Sequence, residues 1–472
     1  MVDTHHAEAD ARPRPEDEKL SIAANVAYGF QHVLTMYGGI VAVPLIIGQA
    51  AGLPPGEVGL LITASLFAGG VATMLQTLGI PFFGCRLPLV QGVSFAGVAT
   101  MIAITTGGGG VPAVLGAVMA AALIGLAITP VFSRIMRFFP PLVTGIVITT
   151  IGLTLMPVAA HWAMGGDSSS PGFGSMAHIG LAGLTLAIVL VLSKVGNAAI
   201  SRLSILLAMI IGTVIAWALG MTDFSKVADG PIMAFPAAFH FGVPTFQVAA
   251  ILSMLIVIIV TLVETSADIL AVGEIVGTKV DSRRLGDGLR ADMLSSILAP
   301  VVGSFTQSAF AQNVGLVAVT GVKSRYVVAT GGLILVTLGL LPVIGRIVAC
   351  VPPMVLGGAG IVLFGTVAAS GIRSLAKVDY RNNMNLIIVA TSIGFGMIPI
   401  SAPEFYRQFP GWFETIFHSG ISSAALMAII LNIVFNEVKA GNPDQASVFS
   451  AGTERIIRHQ NVDRQMDGSS GR

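Results

Sequence analysis

Apolar runs recur along the chain from about residue 26 to residue 439, separated by short stretches rich in charge, proline or glycine. A membrane-spanning helix needs about 20 mainly apolar residues. The pattern predicts fourteen segments, near 26–48, 58–79, 88–105, 111–131, 141–158, 178–193, 203–221, 247–273, 289–303, 308–321, 325–345, 350–372, 384–400 and 421–439. Residues 1–20 (MVDTHHAEADARPRPEDEKL) are charged, contain prolines and lack the apolar core of a signal peptide, so they predict a disordered tail. Residues 441–472 read the same way, as a second tail.

Composition supports a membrane solvent. Of 472 residues, 54% are hydrophobic and 10% charged, against roughly 25% charged in soluble domains. No alternating ten-residue strand pattern argues for a barrel, which leaves a helical, all-α integral membrane protein. The net charge of +1 suggests no nucleic-acid partner. Cys85 and Cys350 fit neither a disulfide framework nor a metal set, and the histidines have no metal-ligand spacing. No cofactor is expected. Fifty-six glycines point to close helix packing in lipid, where small residues let backbones approach.

Charge orients the segments, because cytoplasmic loops collect Lys and Arg. With fourteen crossings and a cytoplasmic N-terminus, 22 of the 25 Lys and Arg residues fall on the cytoplasmic side. Only Lys226, Arg346 and Arg407 fall on the other. A missed or invented segment would scramble that separation. Both termini are therefore expected to be cytoplasmic.

A repeat is also legible. Arg134-Ile135 is followed by Pro140-Pro141, Val143 and Gly145, and Arg346-Ile347 by Pro352-Pro353, Val355 and Gly357. The pairs open the fifth and twelfth segments. A weaker echo links LVQGVSF (89–95) in the third segment to FAQNVGL (310–316) in the tenth. Both offsets are seven segments, so the chain reads as two repeats, 21–230 and 231–440. An odd number of crossings makes them face opposite ways. Inverted repeats are a recurrent transporter design, with the site at their interface.

The third and tenth segments are short and broken. A 14-residue helix covers about 21 Å, less than the ~30 Å hydrocarbon core. Gly303, Gly315 and Gly321 accompany the tenth; Pro88, Gly92 and Gly107–Gly110 accompany the third. Paired interruptions of this kind mark a transporter site, because non-helical backbone at membrane depth must be buried or line a cavity. Gln312 and Asn313 sit beside the second interruption. An amide both donates and accepts. Gln312 reads as a ligand contact; Asn313 reads equally as ligand contact or as helix glue.

The eighth segment carries Glu264 and Asp268 in ETSADILA, four residues apart and so on one helix face. A charge at the bilayer centre costs roughly 2.5–3.5 kcal/mol. Apart from Arg290, no Lys or Arg falls within a segment core. A carboxyl that takes up and releases a proton suits a proton-coupled carrier; the alternative is an interfacial pair, which Glu274 fits better. Asp292, early in the ninth segment, either belongs to the site or pairs with a loop arginine. His32 is a lone ionisable group in the first segment, as consistent with packing as with function. In the third segment, Phe95 offers a face for a flat ring and Ser94 a small hydroxyl.

The run QNVGLVAVTG (312–321) resembles the signature of the nucleobase–ascorbate transporter family, and QHVLTMYGG and ETSADILA are similar to its other motifs. The resemblance covers about residues 20–440. It implies fourteen spans in two inverted seven-segment repeats, with a core domain (about 21–131 and 247–345) and a gate domain (about 132–230 and 346–440). It implies short extended strands in the third and tenth segments, and a homodimer in the bacterial cytoplasmic (inner) membrane. By position, Glu264 and Gln312 match substrate contacts, while Phe95 and Ala311 match backbone contacts. Ser94 matches a selectivity position, often Asn in xanthine-selective relatives. Asp268, Asp292, Asn313 and His32 match residues for proton coupling or site organisation. Uracil-selective members tend to carry Glu where this chain has Gln312. The expectation is a proton-coupled symporter, not an enzyme, importing uric acid, xanthine or both. The alternatives are a uracil or other nucleobase symporter and, further off, an inorganic-anion carrier of related fold.

Overall fold

The computed structural model describes residues 14–132 and 140–437. Arg134, Arg137 and the C-terminal tail from residue 438 lie outside the described residues. The helices are α1 Ile22–Ala50, α2 Pro55–Leu78, α3 Val98–Ile104, α4 Gly110–Ile128, α5 Pro141–Thr154, α6 Met156–Ala163, α7 Met176–Val195, α8 Ala198–Arg202 and α9 Ser204–Ala218. After a long loop follow α10 Val248–Val276, α11 Ser282–Leu298, α12 Ala311–Thr320, α13 Arg325–Gly339, α14 Pro342–Ala349, α15 Pro353–Leu375, α16 Asn383–Ser401, α17 Gly411–Phe417 and α18 Gly420–Asn432. Two three-residue strands, β1 Gln91–Val93 and β2 Gln307–Ala309, precede α3 and α12.

This is an all-α, multi-pass membrane fold. Among the described residues, eight helices are long and apolar enough to cross a bilayer, or nine if α13 and α14 count as one span bent by 79°. Of the fourteen segments read from the sequence, the third and fourth fall together in one long apolar stretch, Phe95–Ile128, and those near 203–221, 289–303, 308–321 and 421–439 fall on helices shorter than 18 residues, outside those eight. The bend in the eleventh falls before Pro342, which starts α14. Proline has no N–H to continue a helix and suits its first turn. Both Pro-Pro pairs do the same local job: Pro140 and Pro352 are extended caps, with Pro141 and Pro353 opening α5 and α15.

The helices pack in two groups. In one, α13 lies along α1 and α2, while α4 packs on α10 and α11. In the other, α15 packs on α5, α6 and α7, and α18 on α5 and α16. Glycine permits the closest crossings. A Cβ on Gly70 of α2 would sit 2.6 Å from the Gly332 carbonyl of α13, and one on Gly29 of α1 2.9 Å from the Gly331 nitrogen. In the other group, Gly152 and Gly371 let α5 and α15 cross backbone to backbone, at Ala368 and Thr149 respectively.

The N-terminal stretch departs from the expectation of disorder. Pro15–Asp17 forms a 3-10 turn, and Glu16 is only 1% exposed. Glu16 accepts from Arg284 at 2.6 Å, Asp17 from Arg325 at 2.6 Å, and the Glu18 carbonyl from Ser324 at 2.6 Å. Arg284 also donates to the carbonyls of Cys85 and Arg86. Arginines at the ends of α11 and α13 thus hold an acidic turn, a pairing more than 260 residues long in sequence. Residues 1–13 lie outside the described residues.

Candidate functional site

β1 and β2 pair antiparallel, with Gln91 opposite Ala309, Gly92 opposite Ser308 and Val93 opposite Gln307. The Ser94 N–H to Thr306 and the Phe310 N–H to Val90 extend the ladder at both ends. A two-stranded ribbon leaves two outer edges, which cannot stay unsatisfied at membrane depth. Hydroxyls from neighbouring helices satisfy them. The Gln91 N–H donates to Thr73 of α2 at 2.9 Å. On the other edge, the Gln307 N–H donates to Ser296 of α11 at 2.9 Å and the Ala309 N–H to Thr265 of α10 at 3.3 Å. The Phe310 ring is held between two glycines: a Cβ on Gly39 would lie 2.8 Å from it and one on Gly92 2.7 Å.

The ribbon brings the N-terminus of α12 and the turn before α3 to one space. Beyond β1 comes the turn Phe95–Gly97 and then α3; beyond β2, α12 begins at Ala311. First-turn N–H groups have no helical partner, and the macrodipole is positive there. Between the ribbon, α10, α5 and α15 lies a cavity of about 490 Å³. Glu264 and Asp268 of α10, Phe95, Ala311 and Gln312 all line it. The sequence reading of these five as site residues therefore corresponds to one continuous surface. No Lys or Arg forms an ion pair with Glu264 or Asp268 among the described residues, and the Asp268 Oδ2 is buried without a hydrogen-bond partner.

The other four candidates stand behind this surface. Asn313 is fully buried; its amide nitrogen meets the His32 ring Nδ1 at 3.1 Å and donates to the His32 carbonyl at 2.9 Å. That bond ties α12 to α1. Asp292 is 1% exposed and, contrary to the loop-arginine alternative, accepts from Gln76 at 3.2 Å. Gln76 also donates to the Gly288 carbonyl and accepts from the Cys85 N–H, so its amide is fully engaged. Arg290 is instead paired with Asp287. Ser94 does not line the cavity. It is buried, and its Oγ accepts from the Ala96 N–H at 3.2 Å, shaping the turn beneath Phe95.

Two details differ from the sequence reading. Gly315 does not interrupt the tenth segment. It lies within α12 and lines the cavity, and a Cβ there would meet nothing within 4 Å. The breaks are Gly303 (φ +87°) and Gly321 (φ +67°) at its ends. The glutamine echo is also out of register. Gln91 sits in β1 as Gln307 sits in β2, whereas Gln312 is already in the helix. Gln91 faces Asp292 from the ribbon, yet neither atom of its amide completes a hydrogen bond.

The sequence reading missed the facing wall. Thr144 and Ile148 of α5 and Thr366, Ser370, Arg373, Ser374 and Lys377 of α15 and its end line the same cavity. The signal was present: positions 366, 370, 373, 374 and 377 share a helix face. Toward the Pro353 end of α15 the cavity is closed. Phe95 meets Phe364 edge-to-face with ring centroids 6.1 Å apart, Phe364 meets Trp162 at 6.2 Å, and the Trp162 indole N–H bonds Gln49 of α1. Thr100 of α3 bonds Ser419 beside α18 at 2.8 Å.

A family model described as Permease family matches residues 23–405. The chain belongs to this permease family, the nucleobase–ascorbate transporters. It is a transporter rather than an enzyme. The chain is 39% identical over 441 residues to the uric acid transporter UacT of Escherichia coli, covering 92% of this chain and 91% of that one. It is 39% identical over 411 residues to the xanthine permease of Bacillus subtilis, covering 87% of this chain and 93% of that one. Uric acid permease PucK of Bacillus subtilis is 38% identical over 416 residues, covering 88% and 96%. The transmembrane domain of a cyanobacterial bicarbonate transporter, BicA, shares the fold with TM-score 0.57 at 15% identity, covering 89% of this chain and all of that one. SLC26A9 does so with TM-score 0.59 at 13% identity, covering 88% of this chain and 66% of that one.

Proposed function

We propose that this permease is a proton-coupled symporter that imports an oxidised purine nucleobase, uric acid or xanthine, across the bacterial cytoplasmic membrane. The observation that carries the reading is the convergence of Glu264, Gln312, Phe95 and the N-terminus of α12 on one cavity. An oxidised purine presents adjacent ring N–H and C=O groups. The Gln312 amide answers both at once, the Glu264 carboxylate accepts a further N–H, and the free N–H groups at the start of α12 donate to a carbonyl oxygen. Phe95 supplies an apolar face for the ring. The relatives named for uric acid and xanthine point the same way.

Glu264 and Asp268, unpaired with any cation, serve as the proton acceptors, and Asp292 supports them from behind. Asn313 and His32 hold the start of α12 in place. The chain crosses fourteen times, with both termini cytoplasmic, as two inverted repeats of seven segments (21–230 and 231–440). The group containing α1, α2, α10 and α13 is the core domain and the group containing α5, α7, α15 and α18 the gate domain. Two copies form a homodimer. On this orientation the cavity opens toward the cytoplasm, and the Phe95–Phe364–Trp162 contact seals the outer side. Transport is a rigid movement of the core against the gate that carries the site across the membrane. The fold shared with a bicarbonate transporter supports no inorganic-anion substrate here, because the deep wall of the cavity is acidic.

The test is uptake of labelled uric acid and xanthine, with and without a proton gradient, in competition with uracil and sulfate. Glu264→Gln is expected to reach the membrane and lose proton-driven accumulation. Near-wild-type accumulation by that variant, or competition by sulfate but not by purines, would remove the reading.

A further inference from the structure

The cavity has two chemically different ends, and only the acidic one enters the reading above. Thr366, Ser370, Arg373, Ser374 and Lys377 form a polar track down α15, facing Glu264, Asp268 and Gln312 across the space. From Thr366 to Ser374 the track rises about 12 Å, at 1.5 Å per residue, and Lys377 lies just past the helix end. Its first members are hydroxyls and its last are cations. Neighbouring arginines are occupied: Arg381 is bound to Asp379 at 2.9 Å, Arg284 to Glu16, Arg325 to Asp17 and Arg290 to Asp287. Among the described residues, Arg373 and Lys377 have no carboxylate within ion-pair distance. An interfacial cation with no role beyond orientation turns its stem along lipid and its head to bulk water. These two are exposed, and both also line the cavity.

We propose that Arg373 and Lys377 form an anion-binding subsite in the inner half of the cavity, one that holds the purine as its monoanion and so favours uric acid over xanthine. The inference rests on the proposed purine transport. Uric acid is the stronger acid of the two: near neutral pH it is mainly the monoanion, while xanthine is mainly neutral. Both molecules offer similar hydrogen-bonding edges to Gln312 and Glu264, so the deep site separates them weakly. A pair of cations at the open end of the cavity separates them by charge, because charge of one sign along a cleft raises the local anion concentration. The hydroxyl of Ser370 lies on the same face, between the two ends, and gives the anion a polar partner there. Placed on the cytoplasmic half, the subsite draws the anion off a carboxylate-lined site and toward release.

Inside-out membrane vesicles present this half of the cavity to the bath. Transport of labelled uric acid and labelled xanthine is measured near neutral pH at low salt for the parent, Arg373→Gln/Lys377→Gln, and the charge-keeping Arg373→Lys/Lys377→Arg. Two partly exposed charge contacts predict a rise of about fivefold in KM for uric acid in the neutral variant. The KM for xanthine should change by less than about twofold, with the charge-keeping variant close to the parent. Added potassium chloride should narrow the gap between parent and neutral variant, since exposed charges are screened. Acidifying the bath, which neutralises uric acid, should narrow it as well. Equal losses for both purines, or a gap indifferent to salt and acid, would overturn the subsite while leaving purine transport standing. A parent that moves neither purine overturns both. Membrane quantity of each variant, by immunoblot, separates loss of protein from loss of binding.

Discussion

The strand–helix segments β1–α3 and β2–α12 are built alike and filled differently. Each begins with three extended residues, runs on into a helix and contributes residues to the same cavity, Val93 and Phe95 from the first and Ser308 to Gln312 from the second. Each has its outer edge satisfied by hydroxyls from packed helices, Thr73 for one and Ser296 with Thr265 for the other. The chemistry is not shared. The second segment turns an amide, Gln312, into the cavity and buries Asn313 behind it; the first turns in the Phe95 ring and keeps its glutamine, Gln91, out of the lining. Two strand–helix segments of like build thus carry one polar and one apolar wall of the cavity, which suits a flat solute with a polar edge and an apolar face.

That contrast can be broken most sharply at the polar half. Gln312→Glu removes the donor and leaves an acceptor against a substrate carbonyl. A site with an unmatched polar group rejects its ligand strongly, so purine uptake should fall by about a hundredfold or more. Gln91→Glu, at the apparent counterpart, should cost much less in uptake, and equal losses would show that the two halves share their chemistry after all. Asn313→Ala should lower uptake by about tenfold, because it removes one net hydrogen bond and leaves the His32 groups buried without a partner. The double variant with His32→Ala should lose less than the two single losses combined, as expected for side chains that act as one unit. Additive losses would separate them.

The scaffold itself is tested at the edges. Thr73→Val and Ser296→Ala each strip the partner from a buried strand N–H and should each lower stability by about 1–3 kcal/mol, read as a drop in thermal unfolding midpoint in detergent. A marked difference between them would mean that one strand matters more than the other to the ribbon. The smallest effect is expected at Ser94. Its hydroxyl caps Ala96 rather than touching the cavity, so Ser94→Ala should shift the ratio of uric acid to xanthine uptake by only a few-fold. A loss as large as that of Gln312→Glu would place Ser94 in direct contact with substrate.

Much of this site was legible before any coordinates. Glu264 and Asp268 are conspicuous because a carboxylate in an apolar helix is expensive, and their four-residue spacing fixes a shared face. Gln312 stands out for the same reason. The tenth segment is too short to cross as a helix, so an unwound stretch next to it was required. Arg373, Lys377 and the hydroxyls before them were passed over, because cations at the end of an apolar run ordinarily read as loop charge. Gln76 was passed over too; a single amide near the end of a segment has no visible partner until Asp292, 216 residues away, is brought against it. Glu16 is the clearest case, a charge in an apparently disordered tail that is buried on Arg284.

By itself, then, the sequence determined the solvent, the helical type of the apolar segments, and which polar groups are anomalous there. These follow from local sums: hydrophobic length against bilayer thickness, and the cost of a polar side chain in hydrocarbon. Tertiary structure alone decided which anomalies face the cavity and which brace it, that the glutamine echo is five residues out of register, and that a second, cationic wall stands opposite the acids. Those outcomes depend on hydrogen bonds and close crossings between residues hundreds of positions apart, and a chain's local pattern carries no term for them.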